Sequence, residues 1–148
     1  MKLRLTLLAS FACVVSSLAQ AQAQAQSPAG AWKTVDDATG KEKAIVRITE
    51  AGGVFTGKVE KLLDPAKQDS KCDECTDSRK GQPVIGLTIM RNIKKGESHW
   101  EGGDILDAAN GKVYRARLTL SEDNKKLDVK GFIGTPLFGR TQTWTRME

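Results

Sequence analysis

The clearest strand signal in the chain is NGKVYRARLTL at residues 110–120. Because successive side chains of a strand point to opposite faces, a period of two indicates a half-buried strand. One face would carry Arg115, Arg117 and Thr119, and the other only the apolar residues Tyr114, Ala116, Leu118 and Leu120. The preceding Asn110-Gly111 favours a hairpin, since both residue types tolerate the positive φ of a type I′ turn. We therefore predict a β-hairpin whose second strand begins after this turn.

Similar short segments continue on both sides of this hairpin. They are rich in β-branched and aromatic residues and are separated by turn residues at nearly even spacing, which is typical of a sandwich or barrel. Residues 84–93 also suit a short helix, because their apolar content is nearly continuous. The predicted strands are residues 31–36, 44–50, 54–63, 84–93, 99–106, 113–120, 126–133 and 138–147. With no long helical pattern to supply crossovers, we predict an all-β fold, a single up-and-down antiparallel β-barrel of about eight strands.

The alternation also predicts which side chains face the interior. In the predicted strand 54–63 the inward residues should be Phe55, Gly57 and Val59. In the predicted strand 126–133 they should be Leu127, Val129, Gly131 and Ile133. In the last segment aromatic and cationic side chains share one face, formed by Phe138, Arg140, Gln142, Trp144 and Arg146. An eight-stranded barrel is wide enough to hold one small ligand. The candidate ligand-binding residues of the interior are therefore Trp32, Phe55, Tyr114, Arg140, Gln142, Trp144 and Arg146.

Residues 1–25 resemble a secretory signal. Two cationic residues precede an apolar run that is too short to span a bilayer, and three overlapping Ala-x-Ala sites follow it. We expect this segment to be removed, leaving residues 26–148 as one soluble β-barrel domain in the periplasm or outside the cell. A lipid anchor on Cys13 is the alternative, although the preceding Ser-Phe-Ala lacks the Leu-small-small pattern of such sites.

The charge pattern argues against nucleic-acid binding and against a membrane-spanning barrel. The full chain has a formal net charge of +5, and loss of Lys2 and Arg4 would leave 21 basic against 18 acidic residues, or +3. Lysine and glutamate are interspersed, as in residues 41–43, so no basic stripe indicates nucleic-acid binding. A membrane-spanning barrel needs an uncharged outer band, and five cations interrupt the predicted strands: Arg47, Lys58, Arg115, Arg117 and Lys130.

Cys72 and Cys75 form a CxxC pair in the polar segment 64–82, which predicts a long surface loop. In an exported chain the first interpretation is a disulfide within that loop. Zinc is a second, with Asp73, Glu74 or His99 as further ligands, although no second cysteine pair completes a four-ligand site. A redox couple is a third, although the acidic residues between the cysteines would oppose the low thiol pKa that it needs.

Two resemblances bear on the fold. Gly30-Ala31-Trp32 in the first strand, with an arginine in the last, resembles the lipocalin arrangement, which implies that Arg140 or Arg146 covers Trp32 at a closed end. Most of the chain also resembles an exported bacterial family catalogued as domain of unknown function 2147. Its segments here include Asp36-Asp37, Cys72-x-x-Cys75, residues 83–86, 102–107, 110–114, 131–134 and 139–144, with Ala108 where a proline is more usual. This resemblance implies a small secreted, calycin-like barrel without an assigned activity.

The expected function is therefore binding. No catalytic motif, phosphate-binding glycine loop, cofactor site or calcium-binding spacing is present, and Asp36, Asp37, Asp107 and Asn110 are explained by turns. The first hypothesis is a non-enzymatic protein whose barrel holds a small apolar or amphipathic ligand, with Arg140 or Arg146 at an anionic head group. The second is an envelope interaction or maintenance module that acts through its surface and the CxxC loop.

Overall fold

The structure, a computed structural model, describes residues 26–147 and shows one closed antiparallel barrel. The strands are β1 (Gly30–Val35), β2 (Glu42–Ala51), β3 (Val54–Leu62), β4 (Thr88–Lys95), β5 (Trp100–Asp107), β6 (Lys112–Leu120), β7 (Lys126–Phe132) and β8 (Arg140–Arg146). Each strand pairs with its neighbours in sequence, and β1 pairs with β8 to close the barrel. This confirms the predicted all-β, up-and-down barrel. Within this range no helix is long and apolar enough to cross a membrane.

The up-and-down order gives the barrel two different ends. The β2–β3, β4–β5 and β6–β7 turns lie at one end, together with the segment before β1 and the residue after β8. We call this the closed end. The opposite loop end carries the β1–β2 and β5–β6 turns, the long segment 63–87 and the connection 133–139. The predicted signal segment and Cys13 lie outside the described residues.

Apolar side chains fill the barrel as the alternation predicts. On β6, Ala116 and Leu118 are buried, and Tyr114 and Leu120 are half-buried on the same face. The predicted inward residues of β3 and the β7 residues Leu127 and Val129 are also buried. The largest fully buried side chains of the strands are Trp32, Val46, Ile48, Met90, Ile93, Leu118 and Leu127. Burying each such side chain contributes about 1.5 to 3 kcal/mol, so this packing accounts for much of the stability of the barrel.

Trp32 and Arg146 seal the closed end. They are paired across the β1–β8 ladder, and the guanidinium carbon of Arg146 lies 4.2 Å from the centroid of the Trp32 ring. Arg146 also donates hydrogen bonds to the carbonyls of Ser27, Ala29 and Asn124, at 2.8, 2.8 and 2.6 Å. Burial lowers the pKa of this guanidinium from its usual value. Of the two arginines that the lipocalin resemblance implied, Arg146 is therefore the one that covers the tryptophan.

Gly30 explains the glycine of the Gly-x-Trp pattern. Its φ of +133° is one that residues with a side chain rarely adopt, and a Cβ atom there would lie 2.6 Å from Nη1 of Arg146. The Trp32 indole nitrogen donates to the Pro28 carbonyl at 2.8 Å, so the segment before β1 also contributes to the seal.

Four local predictions were wrong. Ile133 is 72% exposed because the strand ends at Phe132, and Phe138 lies in a 3₁₀ turn instead of β8. β4 begins at Thr88 and not at residue 84, because Val84 and Leu87 belong to a loop that packs on the core. The β5–β6 hairpin is present but its turn is not type I′. Gly111 has a φ of +71° whereas Asn110 is not left-handed, and Gly111 donates to the Asp107 carbonyl across a four-residue loop.

The closed end yields a first prediction. Arg146→Ala removes the stacked cation and leaves three carbonyls without their donor, so we expect the free energy of unfolding to fall by about 2 to 3 kcal/mol. Arg47→Ala is the control, since Arg47 forms an exposed pair with Glu60 whose removal should lower the free energy of unfolding much less. Urea unfolding followed by tryptophan fluorescence measures both. An equal decrease in the free energy of unfolding of the two variants would show that the contacts of Arg146 do not stabilise the barrel more than an exposed ion pair does.

Candidate functional site at the loop end of the barrel

The inner face of β8 changes character along its length. Trp144 is buried near the closed end, Gln142 is half-buried above it, and the Arg140 side chain is 78% exposed at the loop end. The Gln142 side chain accepts a hydrogen bond from the Trp144 indole nitrogen at 3.0 Å, which orients its amide group so that it donates towards the loop end. The mixed aromatic and cationic face predicted from the sequence therefore has Arg146 in the seal at the closed end, and Gln142 with the exposed Arg140 at the loop end.

Asp37 connects this strand to the β1–β2 turn. Its carboxylate accepts hydrogen bonds from Nη2 of Arg140 and, at 2.8 Å, from Nε2 of Gln142. Its neighbour Asp36 makes the turn itself, by accepting from the Ala38 and Thr39 backbone at 3.1 and 2.9 Å. The turn interpretation of this acidic pair was therefore right for Asp36 and incomplete for Asp37.

Asp37 is held in its ionised form. Partial burial raises its pKa, but the hydrogen bond from Gln142, a backbone hydrogen bond and the positive charge of Arg140 together outweigh it. The net pKa of Asp37 is lower than its ordinary value. An ionised carboxylate therefore fixes Arg140 and Gln142 in place at neutral pH.

Tyr114 lies near this group on β6, with β7 between it and β8. Gly131 pairs with Arg140 on one side and with Ala116 on the other, so small residues lie beside the arginine on the inner face. The Cβ and Cγ atoms of Tyr114 lie 3.4 and 3.6 Å from the position that a Cβ on Gly131 would take. We call Asp37, Tyr114, Arg140 and Gln142 the mouth cluster. It contains three of the seven candidate residues, together with an aspartate that was assigned to a turn.

The other four candidates lie deeper in the molecule. Trp32, Phe55 and Trp144 are buried in the core, and Arg146 is at the closed end beneath three backbone carbonyls. Within the described residues, the two best-formed grooves lie on the outer surface. One, of about 300 Å³, lies between β2, β3 and residues 85–86, and the other, of about 320 Å³, lies between β5, β6 and residues 134–136. Neither groove is lined by a residue of the mouth cluster, and the barrel interior below that cluster is filled by buried side chains.

The CxxC segment covers part of the loop end. Cys72 and Cys75 form the expected disulfide. The segment around them is mostly exposed, as predicted for a surface loop, but the two cysteines themselves are completely buried. They join the core cluster together with Val84 and Leu87 of the same segment. The amide of Cys72 donates to the Gln82 carbonyl and the amide of Gly81 donates to the Cys72 carbonyl, both at 2.9 Å. The loop is therefore folded back on itself and packed onto the barrel.

The β5–β6 turn fixes the position of this segment. A Cβ atom on Gly111 would overlap the carbonyl group of Glu74, so only glycine allows the two backbones to approach so closely. Beyond the cysteines, the Arg79 side chain is buried, contacts both carboxylate oxygens of Asp77 at 2.7 to 3.1 Å, and donates to the Thr88 carbonyl at 3.0 Å. Residues 63–87 are thus attached to the start of β4 as well as to the hairpin.

The zinc interpretation receives no geometric support. The cysteine sulfur atoms bond to each other, and His99 lies before β5 at the closed end, where its Nδ1 is 3.1 Å from the Thr119 hydroxyl. Between residues 26 and 147, no three His, Cys, Asp or Glu side chains come together in a way that could hold a metal ion.

Comparison with known proteins agrees with this fold. The family model described as "Uncharacterized protein conserved in bacteria (DUF2147)" matches residues 30–146. The chain belongs to the DUF2147 family. Among solved structures, the barrel of this DUF2147 chain resembles protein HP1028 from Helicobacter pylori, which is described as a member of the lipocalin family. The TM-score is 0.70 at 20% identity, over 81% of this chain and 82% of the other, so the likeness concerns the fold. No curated protein sequence matches this chain significantly.

The disulfide of the DUF2147 chain can be tested by replacing both cysteines with alanine. We expect the barrel to remain folded, with a loss of about 2 kcal/mol from the freer unfolded chain and a further loss from packing. Hydrogen exchange should accelerate at the amides of position 72, Gly81 and Gln82 while the amides of β6 and β7 stay protected. Glu74→Ala, an exposed change in the same loop, is the control. A uniform loss of protection over all strands would mean that the disulfide supports the whole barrel.

The Asp77–Arg79 pair predicts a pH dependence. Hydrogen bonds from the Arg79 side chain and backbone lower the pKa of Asp77 from 3.8 to about 2. A lowered folded-state pKa means that the pair stabilises the loop fully above pH 3.8 and loses its effect as the pH falls towards 2. Hydrogen exchange of residues 77–88 against pH should show this loss in the DUF2147 chain and in Asp69→Asn, a control in the same segment, but not in Asp77→Asn. The same pH dependence in Asp77→Asn would contradict the assignment.

Proposed function

We propose that this chain is a non-catalytic binding protein that holds a small amphipathic molecule at the loop end of its barrel. The observation that carries the proposal is the mouth cluster, in which Asp37 fixes Arg140 and Gln142 on an inward face that is otherwise packed with apolar side chains. A few fixed polar groups beside an apolar surface are the usual composition of a small-molecule site.

The head group best suited to this cluster is a carboxylate or a phosphate. A guanidinium has five N–H donors, and within residues 26–147 the Arg140 side chain makes one hydrogen bond, from Nη2 to Asp37. The remaining donors can therefore bind an anionic oxygen in the usual bidentate manner. Because Asp37 neutralises part of the charge, a bare inorganic anion should bind weakly, and an apolar part of the ligand must supply the rest of the affinity.

The apolar part of the ligand would contact Tyr114 beside Gly131. Ile105 lies next to them, since its Cγ2 is 3.7 Å from the position of a Cβ on Gly131. Below this level Leu118, Leu127 and Trp144 are buried and occupy the axis of the barrel. We therefore infer a short or branched apolar group near the mouth instead of a long acyl chain along the barrel.

The proposal includes the cellular compartment in which the protein acts. We infer that residues 1–25 direct export and that the chain works in the periplasm or outside the cell. The Cys72–Cys75 disulfide supports this compartment, because such bonds persist in oxidising environments and are rare in the reducing cytosol.

A protein-interaction role is the second candidate. Ile85 is exposed on the segment 63–87 and borders the groove of about 300 Å³ that Arg47, Val59 and Glu60 also line. A partner that inserts an apolar side chain beside Ile85 would use this groove, whereas a ligand at the mouth cluster would not contact it.

Native mass spectrometry of the protein purified from the periplasm tests the proposal. The wild-type chain should carry a bound small molecule that Arg140→Ala loses and that Arg47→Ala, a control on the outer surface, retains. Arg140 is exposed, so its removal should change stability by less than about 1 kcal/mol. A bound mass that persists in Arg140→Ala, or its absence from wild-type protein, would overturn the mouth cluster as a site. A co-purified protein lost in Ile85→Ser would favour the second candidate instead.

A further inference from the structure

The connection between β7 and β8 exposes three large apolar side chains. Ile133, Leu137 and Phe138 are 72%, 81% and 83% exposed, the highest values among the large hydrophobic residues that the structure describes. All three lie within six residues at the loop end. We call residues 133–139 the rim loop.

The rim loop does not need these side chains for its own folding. Its buried anchor is Phe132, whose Cβ lies 2.9 Å from the position that a Cβ on Gly139 would take. Pro136 begins a 3₁₀ turn that is closed by hydrogen bonds from Phe138 to Thr135 and from Gly139 to Pro136, at 3.4 and 3.3 Å. Leu137 and Phe138 therefore project outwards from a turn whose packing on the barrel depends on Phe132 and Gly139.

Cationic side chains surround this apolar tip. Arg115 pairs with Phe132 across the β6–β7 ladder, Lys130 lies beside Gly139, and Arg140 follows the loop directly. Within residues 26–147, neither Arg115 nor Lys130 has a carboxylate within 4.0 Å, and Arg140 alone is paired, with Asp37. The rim loop and its surroundings therefore carry a net positive charge beside exposed apolar groups.

We propose that the rim loop docks on the surface of an anionic lipid bilayer. Leu137 and Phe138 enter the boundary between head groups and acyl chains, and Arg115, Lys130 and Arg140 contact the lipid phosphates. Long cationic side chains suit this position because their apolar stems follow the inserted side chains while their charges stay at the head groups. Each such cation near an anionic surface strengthens binding roughly fivefold.

The size of the patch favours a bilayer over a protein partner. Even if each of the three large side chains offered the roughly 150 to 250 Å² of an aromatic side chain, together they would stay below the about 800 Å² that each partner of a stable protein interface buries. The three apolar side chains do not line the neighbouring groove between β5, β6 and residues 134–136, and the positive charge around them complements an anionic lipid surface.

Docking in this way would turn the loop end of the barrel towards the membrane. The mouth cluster includes Arg140, the residue that follows the rim loop, so a bilayer at the rim loop lies next to the proposed ligand site. This inference goes beyond the proposed function and does not require it, because vesicle binding is measured without any ligand.

Vesicle co-sedimentation of the purified exported chain tests the inference. Vesicles of phosphatidylcholine alone and of phosphatidylcholine mixed with an equal part of phosphatidylglycerol are the probes. We expect binding to the anionic vesicles to exceed binding to the neutral ones at least tenfold and to weaken as salt is added. The double variant Leu137→Ser/Phe138→Ser should lose at least tenfold in binding, and Arg115→Gln/Lys130→Gln roughly twenty-five-fold.

Ile85→Ser is the matched control, because it also removes an exposed apolar side chain from a loop, but on the outer surface beside β2 and β3 and outside the rim loop. It should bind anionic vesicles like the wild type, and circular dichroism should show the same β-barrel in all variants. Equal binding to both vesicle types, or unchanged binding by the Leu137→Ser/Phe138→Ser protein, would overturn the inference. So would capture of a single protein partner that depends on Leu137 and Phe138 in a chain that binds no vesicles.

Arg140→Ala separates this inference from the proposed function. Arg140 belongs to both surfaces, so we expect this variant to lose the small molecule in native mass spectrometry but to lose at most fivefold in vesicle binding. If wild-type protein carries no small molecule but still binds anionic vesicles, only the proposed ligand site fails.

Discussion

The barrel depends on one short contact between its first and last strands. Trp32 and Arg146 are partners in that ladder, and the guanidinium stacked on the indole also binds three carbonyls from segments on either side. The interaction that closes the sheet therefore also seals one end. Side chains fill that end. The polar mouth cluster, the exposed apolar side chains of the rim loop and the packed disulfide segment all lie at the other end. This division explains why both proposed binding surfaces lie on the same side of the molecule.

Much of the fold could be predicted from the sequence, because alternation is strong wherever one strand face is buried. The segment containing Tyr114, Ala116 and Leu118 is the clearest case. Prediction failed where apolar residues are buried without forming a strand. Val84 and Leu87 have the apolar character expected of the start of β4, but they are apolar because their loop packs on the core. The opposite error concerns Ile133 and Phe138, which continue an apolar pattern beyond the point where the chain leaves the sheet.

The candidate site was less predictable, because it depends on contacts between distant residues. Alternation placed Arg140, Gln142 and Trp144 on one face, which the structure shows, but could not indicate that only the upper part of that face is open. Asp37 lies more than 100 residues away and resembles an ordinary turn residue; no local signal shows that its carboxylate reaches Arg140 and Gln142. The burial of Cys72 and Cys75 was missed for a similar reason, because neighbouring acidic residues suggested a solvated loop.

The order of the strands has an entropic consequence. Seven of the eight pairings join strands that follow each other in sequence, whereas the eighth joins the first strand to the last. The hydrogen bond from Arg146 to Ala29 spans 117 residues, so closing it costs roughly 2 kcal/mol more loop-closure entropy than closing a ten-residue hairpin. The disulfide spans only three positions and cannot reduce this cost. We therefore expect the hairpins to form early in folding and the tryptophan–arginine contact to form late, as the step that converts an open meander into a barrel.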